Sequence, residues 1–130
     1  MSHARGTFEV TVKRDPPYDA ADGVALGRAS IDKVFQGDLV GTSHVEMLAA
    51  MTPVEGSRAY VAVERVMGKL GEREGSFVLT HKGIAKNGEA HLDCEVVSGS
   101  GTGALAGIEG RMTIEIVDGK HLYGFEYVIG

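Results

Sequence analysis

The side chains whose types and spacing could carry chemistry here are Lys33, His44, Glu46, Glu64 and His81. Their meaning depends on which strand face each occupies, because successive side chains on a strand point to opposite sides. Reading Gly37-Asp38 as a two-residue turn pairs Gln36 with Leu39, Lys33 with Thr42, Ile31 with His44 and Ala29 with Glu46. The face with Ala25, Gly27, Ala29, Ile31 and Phe35 is the more apolar one, so Lys33, His44 and Glu46 are expected to join it. In the next hairpin, a loop of two or four residues around Gly71 to Glu74 places Glu64 with Phe77, Leu79 and His81; a three-residue loop places Arg65 there instead. The first register gives a polar patch on an apolar inner face, with Tyr60 at one rim. A carboxylate among apolar groups has its pKa raised by desolvation and lowered again by a nearby Lys or His⁺, and either state serves general acid or base work on a small molecule. The expected catalytic residues are therefore Glu46, Glu64 and His81, and the expected ligand contacts are Lys33, His44, Tyr60, Phe77 and Leu79.

The same residues admit a purely structural reading. Glu46 and Lys33 can pair at a solvent-exposed end, worth about 0–1 kcal/mol, Glu64-Arg65 can face a subunit interface, and His44 and His81 can be satisfied hydrogen bonders. The histidines at 3, 44, 81, 91 and 121 lack the close intervals of zinc sites, so no metal is expected. Cys94 alternates with Leu92 and Val96 as a small core residue does, and as the single cysteine it makes no internal disulfide. Gly101-Thr102-Gly103 has no following Lys-Ser/Thr and no helix, so it is not a phosphate loop, and no nucleotide or other cofactor is expected. Ser43 beside His44 is adjacency only. Tyr18, in the double-proline loop Asp15 to Gly23, is read as surface packing or a lid.

The elements that must position these groups read as all-β. Glycine makes up 19 of 130 residues, about twice its usual share, and no long window holds apolar residues at helical spacing unbroken. Thr7 to Lys13 alternates cleanly, with Phe8, Val10 and Val12 on one face. Further strands are expected at about Ala25 to Gln36, Leu39 to Ala49, Arg58 to Leu70, Ser76 to Lys82, His91 to Ser98, Arg111 to Val117 and Lys120 to Ile129. Lys86-Asn87-Gly88-Glu89 carries an Asn-Gly turn. Asp118-Gly119 pairs Val117 with Lys120, Ile114 with Tyr123, Met112 with Phe125 and Arg111 with Glu126, which puts the apolar partners on one face. About eight antiparallel strands in one domain over residues 1–130 leave a closed barrel or a two-sheet sandwich. Arg58 to Leu70 is apolar on both faces, so a barrel would expose an apolar outer face suited to a second copy of the chain. A formal net charge of −5 gives no reason to bind nucleic acid or anionic lipid. No apolar run is long enough to span a membrane and the start has no signal-like region, so a cytoplasmic protein is expected.

Phe35-Gln36-Gly37-Asp38-Leu39-Val40-Gly41 and Gly101-Thr102-Gly103-Ala104-Leu105-Ala106-Gly107-Ile108-Glu109-Gly110 resemble the paired glycine motifs of allene oxide cyclase-like barrels, and dirigent proteins carry comparable ones. More closely, the chain resembles, nearly end to end, a family of small bacterial proteins with this barrel and no established function. The segments that carry this resemblance include Gly6-Thr7-Phe8-Glu9-Val10, Tyr60-Val61-Ala62-Val63-Glu64-Arg65, and Asp118-Gly119-Lys120-His121 with Tyr123 and Phe125-Glu126-Tyr127. The resemblance implies a single antiparallel barrel of about eight strands. Two function classes stay open. One is binding of a small, mostly apolar molecule in the barrel with isomerase- or cyclase-type chemistry; the other is a non-catalytic, self-associating module. They differ in whether Phe8, Phe35, Phe77, Leu79, Ile114 and Phe125 fill the interior or leave room.

Overall fold

A computed structural model describes residues 1–130. Eight strands close into an antiparallel barrel: β1 (Ser2–Arg14), β3 (Val24–Gly37), β4 (Leu39–Met51), β5 (Arg58–Leu70), β6 (Arg73–Lys86), β7 (Glu89–Val96), β8 (Ile108–Val117) and β9 (Lys120–Ile129). A short extra strand, β2 (Asp19–Ala21), pairs with the start of β3 across Asp22-Gly23. The sheet runs β1-β9-β8-β7-β6-β5-β4-β3-β2, and β1 also pairs with β3 to complete the circle. No helix is long and apolar enough to cross a membrane.

The local turn signals act as expected in three hairpins. Asp118-Gly119 gives Val117↔Lys120 and Met112↔Phe125, Asn87-Gly88 gives Lys86↔Glu89, and Gly71-Glu72 is a two-residue loop with Leu70↔Arg73, so β6 starts earlier than Ser76. That register puts Glu64 opposite Leu79 and on the inner face. The loop after β1 is less irregular than expected because β2 forms within it, and Tyr18 stays exposed there.

The β3–β4 turn departs from expectation. Phe35 pairs with Gly41, Lys33 with Ser43 and Ile31 with Val45, one residue away from the two-residue-turn register. Tertiary contacts impose the shift. Gly37 adopts φ +108 and pairs with Gly6 of β1, and the Asp38 carboxylate accepts the Arg5 N–H at 2.9 Å. The Tyr123 hydroxyl, reaching from β9, accepts the Leu39 N–H at 2.9 Å and lies 3.0 Å from the Gln36 carbonyl to which it donates. A one-residue slip reverses every side chain. His44 and Glu46 therefore project outward and Ser43 projects into the barrel.

The inner residues divide along the barrel axis. Around the β3–β4 and β5–β6 turns, Phe35, Leu39, Phe77, Leu79, Phe125 and their neighbours form a filled core. Phe77 and Phe125 stack there at 5.5 Å between centroids. Leu105, in the 3-10 turn Gly103–Leu105, and Ile108 are fully buried members of the same core. The other half, lined by Val10, Val12, Ile31, Val45, Met47 and Ile114, is not filled.

Candidate functional site

A layer of polar side chains separates the filled half from the open one. Glu64 of β5 is 0% exposed, Lys33 of β3 and Ser43 of β4 are 6% exposed, and His81 of β6 is 5% exposed. Adjacent antiparallel strands bring them together, since Lys33 is the partner of Ser43 and the diagonals from Glu64 reach both Ser43 and His81. Glu64 Oε1 accepts from Lys33 Nζ at 3.1 Å and from His81 Nε2 at 2.7 Å, while Oε2 accepts from Ser43 Oγ at 2.5 Å. Charges this deeply buried are retained only when paired and hydrogen-bonded.

Burial is the largest influence on Glu64 and pushes its carboxyl up. The His81 bond, the Lys33 charge and the Ser43 bond together outweigh it and hold the carboxyl below its ordinary range. Glu64 is thus a carboxylate, and His81 Nε2 must carry the proton it donates. The remaining ring nitrogen, Nδ1, makes no hydrogen bond and is not sealed from solvent space, because no sealed side-chain nitrogen or oxygen lacks a partner. Cys94 Sγ lies 3.6 Å from His81 Nε2. Burial, then the Glu64 charge, pushes its thiol up to about 12, so it is not a thiolate nucleophile.

Above this floor opens a cavity of about 180 Å³, with nine of its twelve lining residues apolar; Lys33, His81 and His121 are the others. Lys33 Nζ sits 4.6 Å from the Phe8 ring centroid, and His121 packs at 5.1 Å on the same ring. Tyr60 forms part of the wall. Desolvation raises its phenol pKa and the Glu64 charge adds to it, so it stays an O–H. A Cβ at position 83 would lie 2.1 Å from the Tyr60 ring, so glycine there lets the ring lie against β6. A wider cleft of about 480 Å³ opens on the other side of Tyr60 and Ile114, between β7 and β8, which share the single pair Glu95↔Arg111. Tyr60 and Ile114 line both spaces. A larger depression of about 670 Å³ follows β1 and contains none of the four buried polar residues.

Of the residues expected from sequence, Lys33, Glu64, His81 and Tyr60 are brought together around the cavity and its floor. His44 and Glu46 are corrected to the outer surface. There His44 Nδ1 lies 2.8 Å from Asp32, its Nε2 bonds Glu46, and Arg28 reaches Glu46 at 2.9 Å. The bonds to Asp32 and Glu46 raise the His44 pKa, while those from Arg28 and His44 lower that of Glu46. Phe77 and Leu79 are corrected from ligand contacts to members of the filled half, because they lie on the far side of the Glu64 layer. Ser43 was missed. Its signal is present in β4, where Leu39, Gly41, Ser43, Val45 and Met47 form a more apolar alternate set than Val40, Thr42, His44, Glu46 and Leu48.

Residues 4–127 match the sequence profile of DUF3224, described as a protein of unknown function. Among solved structures, a crystal structure of a DUF3224-family protein with unknown function from Shewanella oneidensis MR-1 is similar. It is 45% identical, with a TM-score of 0.95, over 100% of this chain and 98% of that one. No curated protein matches the chain.

Proposed function

The chain belongs to the DUF3224 family, and we propose that its barrel binds a small, mostly apolar molecule above the Lys33–Glu64–His81 floor and performs isomerase- or cyclase-type proton chemistry on it. The observation that carries this reading is a buried carboxylate–imidazole pair whose free nitrogen belongs to a residue lining an apolar cavity. In such a pair the carboxylate fixes the imidazole tautomer and stabilises the imidazolium formed when Nδ1 takes a proton, so Nδ1 can remove a proton from one atom of a bound molecule and return it to another. The predominantly apolar wall suits an apolar guest body. An apolar cavity of about 150 Å³ takes up benzene, so the present volume suits a guest of similar size.

A second reading, a non-catalytic module that associates with copies of itself, is favoured by one observation. Leu48, Val61, Val63 and Met67 form an exposed apolar strip on the outer face of β4 and β5. Native mass spectrometry of freshly purified protein, compared with denaturing conditions, addresses both readings. The first predicts a released small molecule that Ala62→Leu, which fills the cavity, no longer retains. An oligomer with no guest, and no binding of added small apolar compounds, would leave the second.

A further inference from the structure

We propose that the cavity takes its guest as the anion of a small weak acid, a carboxylate or an enolate on an apolar body, with His81 becoming an imidazolium as the guest binds. The inference rests on the cavity reading above and adds the chemical class of the head group. Lys33 is nine-tenths buried and carries three N–H donors, of which one is used on Glu64. Its other near neighbours are the faces of Phe8 and Phe35, at 4.6 and 5.9 Å from their centroids, so two donors have no strong acceptor. His81 Nδ1 is unpartnered. The titratable groups around the cavity and its floor are Lys33, Tyr60, Glu64, Cys94 and His121 besides His81 itself. The one acid that ionises among them, Glu64, has both carboxylate oxygens engaged by Lys33, His81 and Ser43. The three polar residues that line the cavity, Lys33, His81 and His121, are each a base or a donor. With His81 neutral, the Lys33–Glu64 pair sums to zero. Once His81 is protonated the floor carries one positive charge, which one anionic guest neutralises.

The proton balance is simple. A guest that enters as an anion draws one proton from the buffer onto Nδ1, and a guest that enters as the neutral acid gives Nδ1 its own. No other bond changes.

The test uses benzoate with benzyl alcohol as its neutral counterpart, measured by isothermal titration calorimetry at weakly alkaline pH in phosphate and in Tris. The expected result is at least about tenfold tighter binding of benzoate and an enthalpy difference between buffers that reports uptake of close to one proton. Both should fall in His81→Gln, whose amide nitrogen takes the place of Nε2 and can still donate to Glu64 while Nδ1 is lost. If that variant fails to fold, the imidazole ¹⁵N signals of the unmodified protein replace it: Nδ1 should move from its lone-pair to its protonated position as benzoate is added. Equal or tighter binding of benzyl alcohol would overturn the weak-acid assignment and leave the apolar cavity standing. Binding of neither probe would overturn both.

Discussion

Lys33→Met is expected to lower folding stability by about 3–5 kcal/mol, because it strips one partner from a fully buried ion pair and leaves the Glu64 charge undercompensated. Methionine keeps the length of the side chain and its packing against Phe8, so the loss reports charge rather than volume. The acid limb of the stability curve should move as well. In the native protein the Glu64 carboxyl sits below its ordinary value, so its contribution is fully present above the unfolded carboxylate range, near pH 4.3. It is lost as pH falls through the lower folded value. Without Lys33 the carboxyl loses one of the influences that hold it down, so its folded value moves up. The acid-dependent loss then becomes smaller and is complete at higher pH. Urea unfolding at several pH values measures both effects. The double variant Lys33→Met/Glu64→Leu should recover at least half of the loss, since replacing a whole buried pair by apolar groups is far less costly than halving it. A double variant no more stable than the single one would show that the pair is not the source of the cost.

Phe77→Ala is expected to cost about 3–5 kcal/mol. Phe77 is 1% exposed and stacked on Phe125 in the filled half, so its removal leaves a void in a core whose members Leu39, Leu79 and Leu105 are fully buried. Ile114→Ala offers the contrast. Ile114 lies on the wall of an existing open cavity, so it loses fewer contacts, and its cost should be at or below about 2 kcal/mol, the low end for a buried aliphatic truncation. Chemical denaturation of the two variants under the same conditions compares them. Equal costs would contradict the division of the barrel into a packed half and an open half.

The fold was legible because it is built from hairpins, and alternation together with Asp-Gly and Asn-Gly turns is local information. The β8–β9 pairing could be written down to the residue from Asp118-Gly119 alone. The β3–β4 pairing could not, because its register depends on Tyr123 and Arg5, distant in sequence, which hold the turn through the Leu39 N–H and the Asp38 carboxylate. Glu64 and His81 were legible as inner residues only on a two- or four-residue reading of the loop, against a three-residue one that puts Arg65 inward, and the two-residue Gly71-Glu72 loop decides for Glu64. Lys33 followed correctly from the apolar alternation of β3 itself, while His44 and Glu46 were misplaced because they inherited the slipped register. Where the packed half ends was not legible. It depends on the stagger of strands around the closed barrel, which sets Phe77 and Leu79 on one side of the Glu64 layer and Val45, Ala62 and Ile114 on the other.

The central claim is that a small molecule occupies the open half of the barrel interior. Methyl-resolved NMR of protein labelled at valine, isoleucine and leucine, titrated with benzyl alcohol or benzoate, tests it most directly. The account predicts saturable shifts at Val10, Ile31, Val45 and Ile114, with Leu39, Leu70 and Leu105 unmoved. Shifts confined to the outer methyls of Leu48, Val61 and Val63, or none at any probe concentration, would contradict it.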